Sequence, residues 1–212
     1  MNPDILHLVH ERGVSEVLHF TTNHGLIGIL ATSQLSCRDQ LDEDKYLENI
    51  KLANCTVRKD PEWTGYVNMS ISVVNNEMLG TSQNWHRTGD VWWAVLSFTA
   101  DILADDGVWF TTTNNTHTQT VRRGQGLEGL KNLYSEPIPW GHYGSKSWRR
   151  GLPADRPTNP QAEVLYPGAV PLTKLQAIYV PQEEHLDQIE GWIAALHAAR
   201  PVTVACRPEV FQ

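Results

Sequence analysis

Apolar and polar positions along the chain predict several β-strands separated by a few helices. Runs rich in β-branched and aromatic residues predict strands at residues 17–20, 65–74, 91–98, 108–113, 162–165, 175–180 and 202–206. Apolar residues at helical spacing predict helices at residues 4–12, after Thr22, near 127–134 and over 184–199. The order lacks the regular alternation of a parallel doubly wound sheet, so we expect the α+β class.

Two stretches interrupt this pattern. Residues 36–48 are polar and acidic, which indicates a loop or an exposed helix. Residues 114–159 are rich in Gly, Pro, Arg and polar side chains, with a helix expected only near 127–134. A long, weakly structured insert in a compact domain usually has a function.

Length and composition favour a folded domain. The 212 residues are 41% hydrophobic and 19% charged, so we expect one domain over residues 1–212. The chain has no apolar run of 18 residues and no secretory signal pattern, so we expect neither a membrane span nor export. Three widely spaced cysteines fit a reducing cytoplasm, which is the expected location.

Charge is distributed unevenly along the chain. The net charge is −7, which argues against binding duplex DNA through overall charge. Residues 122–156, however, carry seven basic and three acidic side chains, or +4, which leaves −11 for the rest. With eight tryptophans in the chain, this segment indicates a polyanionic ligand that approaches one face.

His19 and Glu163 are the two candidates for chemistry. His19 precedes a predicted helix start, so it is either a core histidine or a ligand contact at a strand-to-helix junction. Glu163 lies between Ala162 and Val164, among the apolar residues of a predicted strand. It is either an outward-facing glutamate or a positioned carboxylate that acts as a base, a metal ligand or a hydroxyl anchor.

Polar and basic residues elsewhere have both ordinary and functional interpretations. The run from Thr111 to Asn115 suits a turn at a strand end. Trp148, Arg149 and Arg150 suit either an exposed loop or phosphate contact with base stacking. The chain lacks the glycine-rich nucleotide loops, the GxSxG turn, HExxH and CxxC, so we expect no metal site and no standard hydrolase.

In order along the chain, several segments resemble the DarT toxins, which are DNA ADP-ribosyltransferases of bacterial toxin–antitoxin pairs. The resemblance covers roughly residues 15–182. The segments that carry it are His19-Phe20-Thr21, the helix with Leu26 and Gly28-Ile29-Leu30, the strand 66–72, the strand 92–98, Phe110 to Asn115, and Gln161-Ala162-Glu163-Val164-Leu165. The strand 66–72 looks closer to the guanine-modifying branch than to the thymidine-modifying branch.

This resemblance implies an ADP-ribosyltransferase fold with two small, mostly antiparallel sheets, flanking helices and an NAD cleft. It implies Glu163 as the catalytic glutamate, residues 37–60 as the element that clamps NAD, and residues 114–162 as the region facing DNA. An arginine of the clamping element is expected to assist, with Arg38 and Arg58 as candidates and Lys51 third. The residues implied to hold NAD are His19, Phe20, Thr21, Gly28 and Ser36.

The resemblance therefore implies transfer of ADP-ribose from NAD to a base of single-stranded DNA, with guanine favoured over thymine. It also implies a macrodomain antitoxin. The residues expected to contact DNA are Arg122, Arg123, Lys146, Trp148, Arg149 and Arg150. Alternatives are a transferase acting on RNA or protein, and a non-catalytic module that binds single-stranded nucleic acid.

Overall fold

The computed structural model describes residues 1–41, 60–85, 90–141, 144–196 and 202–212. The helices of these ranges are α1 (Pro3–Arg12), α2 (Asn23–Thr32), α3 (Asn76–Trp85), α4 (Gly126–Asn132) and α5 (Leu186–Ala195). The strands are β1 (Glu16–Thr22), β2 (Gln34–Ser36), β3 (Tyr66–Ile71), β4 (Trp93–Thr99), β5 (Trp109–Thr111), β6 (Arg123–Gln125), β7 (Ile138–Pro139), β8 (Lys146–Ser147), β9 (Glu163–Pro167), β10 (Ala169–Pro171), β11 (Leu175–Val180) and β12 (Thr203–Cys206).

Eight of these strands form one sheet, in the order β12-β11-β4-β1-β3-β9-β5-β6. Neighbours are antiparallel except β11 and β12, which are parallel. The expectation of two small sheets is therefore wrong, because β1 and β3 pair and join the two halves into one mixed sheet. Two further pairs, β10 with β2 and β7 with β8, lie outside it.

Local sequence signals explain where the first two helices begin and end. Asn2 Oδ1 accepts from the N–H of Asp4 at 3.0 Å, and Pro3 opens α1, while Gly13 ends it at a φ of 69°. Thr22 Oγ1 accepts from the N–H of Gly25 at 3.3 Å and caps α2. The capping threonine is also the last residue of β1, so strand and helix meet without a loop.

The sheet carries a core on each face. The larger core packs α1, α2, α4 and α5 against one face, with Leu96 and Phe98 of the central strand β4 fully buried. The smaller core lies on the other face, where Leu79 of α3 packs with Leu18 and Val95. Because alternate residues of β1 point to opposite faces, His19 and Phe20 face different sides of the sheet.

Candidate active site

The pairing of β1 and β3 breaks at the centre of the sheet. Their ladder has only two positions, Val17 with Ile71 and Leu18 with Ser70. Beyond these, β1 continues along β4 to Thr22, whereas β3 continues along β9. The strands therefore part, and His19 is the first residue of β1 at the opening.

His19 spans this opening with a hydrogen bond to β3. Its Nδ1 lies 2.8 Å from the carbonyl oxygen of Asn68. A carbonyl oxygen only accepts, so Nδ1 carries the hydrogen and Nε2 is left as an acceptor in the neutral ring. Burial lowers the pKa of His19 below its ordinary value of 6.5, and the bond to Asn68 opposes this shift less strongly. His19 is therefore neutral at pH 7.

Glu163, the first residue of β9, has both carboxylate oxygens hydrogen-bonded. The side-chain amide of Asn68 donates to Oε1 at 3.1 Å, and the backbone N–H of Asn115 donates to Oε2 at 2.7 Å. Glu163 is half-buried. One donor lies in β3 and the other lies after β5, and together they hold the carboxylate in one orientation, as an electrostatic catalyst requires.

Arg123 in turn holds Asn115 in place. Its Nε donates to Asn115 Oδ1 at 2.6 Å, and a terminal guanidinium nitrogen donates to the Asn115 carbonyl at 2.8 Å. The Asn115 amide donates to Asp60 Oδ2 at 3.2 Å. Asn115 is completely buried, and the Arg123 guanidinium also lies 5.5 Å from the ring centroid of Trp63. Arg123 was predicted to contact DNA. Its guanidinium binds Asn115, the residue whose N–H donates to Glu163.

The loop before Glu163 presents the other predicted DNA contacts. Three of its side chains are exposed, those of Lys146, Trp148 and Arg150. Arg122, which directly precedes β6, is exposed as well. Arg149 is half-buried and donates to the carbonyls of Arg156 at 2.7 Å and Pro153 at 2.8 Å. Its guanidinium therefore fixes the shape of the loop.

Comparison with known proteins identifies the family of this chain. Residues 18–212 match the family model described as "DarT: ssDNA thymidine ADP-ribosyltransferase, DarT". The chain belongs to the DarT family. Among curated protein sequences, none matches this chain.

Solved DarT structures share the fold of this chain. Thermus sp. 2.9 DarT in complex with NAD+ superposes with a TM-score of 0.67 at 19% identity, covering 93% of this chain and 98% of that one. The same protein with ADP-ribosylated ssDNA gives 0.64 at 17% identity, over 94% and 97%. Thermosipho africanus DarTG in complex with ADP-ribose gives 0.55 at 14% identity, over 93% and 51%. The large mixed sheet with its helices is thus a DarT-like ADP-ribosyltransferase fold.

The residues predicted to hold NAD fall on β1, α2 and β2. His19, Phe20 and Thr21 lie on β1, where Phe20 packs towards Trp93 with ring centroids 5.8 Å apart. A side chain at Gly25 would collide with the hydroxyl of Thr21, so α2 starts close to this strand.

The remaining predicted residues follow β1 along the chain. Gly28 is half-buried in α2, Ser36 ends β2, and Arg38 opens the short turn after it. Arg58, Lys51 and most of the expected clamping element lie outside the described residues. Within the described ranges, no helix has the length and apolar character to cross a membrane, and no three His, Cys, Asp or Glu residues cluster as metal ligands would.

Sequence reasoning missed Asn68 and Asn115 as site residues. Asn68 lies in a strand between Val67 and Met69, a place where asparagine is uncommon, and this was the available signal. Asn115 is in the polar run interpreted as turn chemistry. Asn115 lies 48 residues before Glu163 in sequence, and its position beside Glu163 depends on the pairing of β5 with β9.

Proposed function

We propose that this chain transfers ADP-ribose from NAD to a base of single-stranded DNA. The observation that carries the proposal is the carboxylate of Glu163, held by two donors and connected through Asn68 to a neutral His19 where the sheet opens. Membership of the DarT family supports it, as do the NAD+ and the ADP-ribosylated ssDNA in the Thermus structures.

The residues at the opening fit the ribose part of NAD. The neutral His19 offers Nε2 as an acceptor for one hydroxyl, and the Glu163 carboxylate offers another acceptor. Because side chains alternate along β1, Thr21 points to the same face of the sheet as His19, and Gly28 and Ser36 follow along the chain in α2 and β2. In this proposal Arg38 or Arg58, with Lys51 third, neutralises the diphosphate, because guanidinium and ammonium groups bind phosphate oxygens well.

Glu163 has the central chemical role. NAD supplies an ADP-ribosyl group whose leaving group is nicotinamide. The carboxylate accepts from a ribose hydroxyl and stabilises the positive charge that develops near the anomeric carbon as the nicotinamide bond weakens. Since Asn68 and Asn115 already orient the carboxylate, little reorganisation is needed at the moment of reaction.

The acceptor is a nucleophilic atom of a DNA base. Such an atom must be free of pairing and stacking, which favours single-stranded DNA. We favour guanine over thymine on the resemblance of residues 66–72 to the guanine-modifying branch, whereas the family description names thymidine. The exposed Arg122, Lys146 and Arg150 would attract the DNA backbone.

The proposed cellular setting rests on the cysteine pattern and the chain length, and the proposed antitoxin rests on the family resemblance. We propose that the protein acts in the cytoplasm as one domain over residues 1–212, and that a macrodomain antitoxin removes the modification. A macrodomain antitoxin that removes ADP-ribose from DNA modified by this protein would support that pairing. DNA that stays modified after treatment with that antitoxin would refute it.

Mass spectrometry of oligonucleotides tests the proposed reaction. Four single-stranded DNAs, each offering one guanine, thymine, cytosine or adenine in an otherwise fixed sequence, are incubated with protein and NAD, beside RNA of the same sequences. We expect addition of one ADP-ribosyl group to the guanine-containing DNA. DNA that is bound but never gains mass would identify a non-catalytic binding module, and modification of RNA alone would reassign the substrate.

A further inference from the structure

A small cavity lies against the loop that leads into β9. It has a volume of about 280 Å³, and its wall includes Ala162, the residue before Glu163. Small-molecule clefts usually measure ~300–1,000 Å³, so this one suits a single flat ring system and is too small for a whole dinucleotide. Its lining contains none of His19, Thr21, Gly28 and Ser36, so it is distinct from the opening proposed to bind NAD.

The cavity walls are mostly apolar and include a large aromatic side chain. Trp148 and Leu152 of the loop line the cavity together with Ile71 and Val73. Trp148 is 59% exposed, whereas most tryptophans in folded proteins are largely buried. An exposed indole beside a cavity of this size is a surface on which a ring can stack.

One polar group of the lining has no partner. Thr158 is 1% exposed, and its hydroxyl has no hydrogen bond within the described residues. A buried hydroxyl without a partner is costly, so its presence favours a ligand with a hydrogen-bonding edge. A purely apolar occupant would leave this cost in place.

Basic side chains belong to the same loop as the cavity. The side chains of Arg150 and Arg156 are exposed, and Arg156 also lines the cavity. Arg149 holds the intervening backbone through the carbonyls of Pro153 and Arg156. The ligand should therefore combine a flat ring that has a polar edge with a negatively charged attachment, which is the chemistry of a nucleotide.

We infer that this cavity binds the base of a nucleotide next to the one that is modified. The base stacks on Trp148, its edge meets the Thr158 hydroxyl, and Arg156 faces the phosphate. This inference rests on the proposed function, because it places a second base of the same DNA strand. It makes Trp148 and Thr158 determinants of sequence preference rather than general DNA contacts.

Oligonucleotides with single abasic positions test the inference. In each, one base flanking the modified base is replaced by a tetrahydrofuran abasic residue, and kcat/KM for ADP-ribosylation is measured. We expect one flanking position to be sensitive, with a loss of about 5- to 100-fold, the range that base stacking on an aromatic side chain gives. Equal rates for all the abasic DNAs would overturn the inference while leaving the transfer reaction established.

Variants then connect the sensitive position to the cavity. W148A should lower kcat/KM on intact DNA by about the same factor and add no further loss on the DNA that lacks the sensitive base. W85A, which removes a tryptophan that is 46% exposed on α3, is the matched control and should behave like the parent protein. Additive losses for W148A and the abasic DNA would show that the base binds elsewhere.

Thr158 provides a separate readout. T158V keeps the side-chain volume but removes the hydroxyl, and it should change which base is preferred at the sensitive position. Unchanged base preference in T158V would contradict the role given to that hydroxyl. If the parent protein modifies no DNA at all, the proposed function itself fails, and this outcome differs from equal modification of every abasic DNA.

Discussion

The side-chain amide of Asn68 donates to Glu163 Oε1 over 3.1 Å. The carbonyl of the same residue accepts from His19 across the opening between β1 and β3. One asparagine therefore sets the positions of an imidazole and a carboxylate that are 144 positions apart in sequence. Both contacts depend on the position at which β3 parts from β1, so strand pairing in the sheet determines the geometry of the site.

Replacing Glu163 with glutamine should abolish most of the transfer without unfolding the protein. The amide oxygen of glutamine still accepts one hydrogen bond, but the negative charge that stabilises the ribose is lost. Removing such a preorganised group typically costs about 10²- to 10³-fold in kcat. The rate is measured as ADP-ribosylated oligonucleotide per unit time, beside E128Q, which changes an exposed glutamate on α4. Full activity in E163Q would refute the assignment.

Changing Asn68 to aspartate places a second carboxylate against Glu163. Two carboxylates in contact resist ionising together, so activity should fall at pH 7 and the pH profile should change shape. N68A removes the donor but adds no charge, and it should lower kcat by about 10- to 100-fold with the profile unchanged. Identical pH profiles for N68D and N68A would show that Asn68 does not act through the Glu163 charge.

Arg123 should behave as a positioning residue for Glu163. R123K keeps the positive charge but cannot bond to both oxygens of Asn115 in the same planar geometry, so kcat should fall about tenfold while KM for DNA is unchanged. R122K, at the exposed neighbouring position, should retain the parent kcat. An increase in KM alone for R123K would restore its predicted role as a DNA contact.

The lowered pKa of His19 predicts a dependence of stability on pH. Below pH 6.5 the unfolded chain binds a proton at His19 more readily than the folded chain does, so this contribution to stability is lost as pH falls below that value. The melting temperature of the parent should thus fall more between pH 7.5 and 5.5 than that of H19Q, which keeps a donor for Asn68. Parallel curves for the two proteins would contradict the burial argument.

Substitutions of Arg149 and Arg150 should differ in their effect on protein stability, although both should weaken DNA modification. R150E should weaken DNA modification and reduce its dependence on salt, with the melting temperature unchanged, because the side chain is exposed. R149E should also lower the melting temperature by about 2–8 °C, since losing its loop hydrogen bonds costs ~1–2 kcal/mol. Equal melting temperatures for the two variants would show that Arg149 does not stabilise the loop.

Strands that form the sheet were predictable from their residues. The apolar pattern at 175–180 matches β11, and the patterns at 91–98 and 65–74 contain most of β4 and β3. α3 was missed because Asn76–Trp85 buries only Leu79 and Ser82, so it shows no continuous apolar stripe. The short strands at 123–125, 138–139 and 146–147 were missed because pairing, with β5 or with each other, makes them strands and their composition is not that of a strand.

The candidate site was predictable only in part. His19 and Glu163 carried local signals, a strand-to-helix junction and a carboxylate in an apolar run. Their connection through Asn68 depends on sheet register, which the sequence does not display. Arg123 shows the opposite problem, because its basic neighbourhood predicted DNA contact while the pairing of β5 with β6 brings its guanidinium to Asn115.

The aromatic ring of Tyr134 contacts two guanidinium groups, with its centroid 3.9 Å from the guanidinium carbon of Arg12 and 5.3 Å from that of Arg149. Arg12 also donates to the carbonyl of Ala154. The family match begins at residue 18, so Arg12 lies before it. A shortened version that begins at the family boundary would therefore keep Glu163 but lose an N-terminal brace for the segment that is proposed to meet DNA.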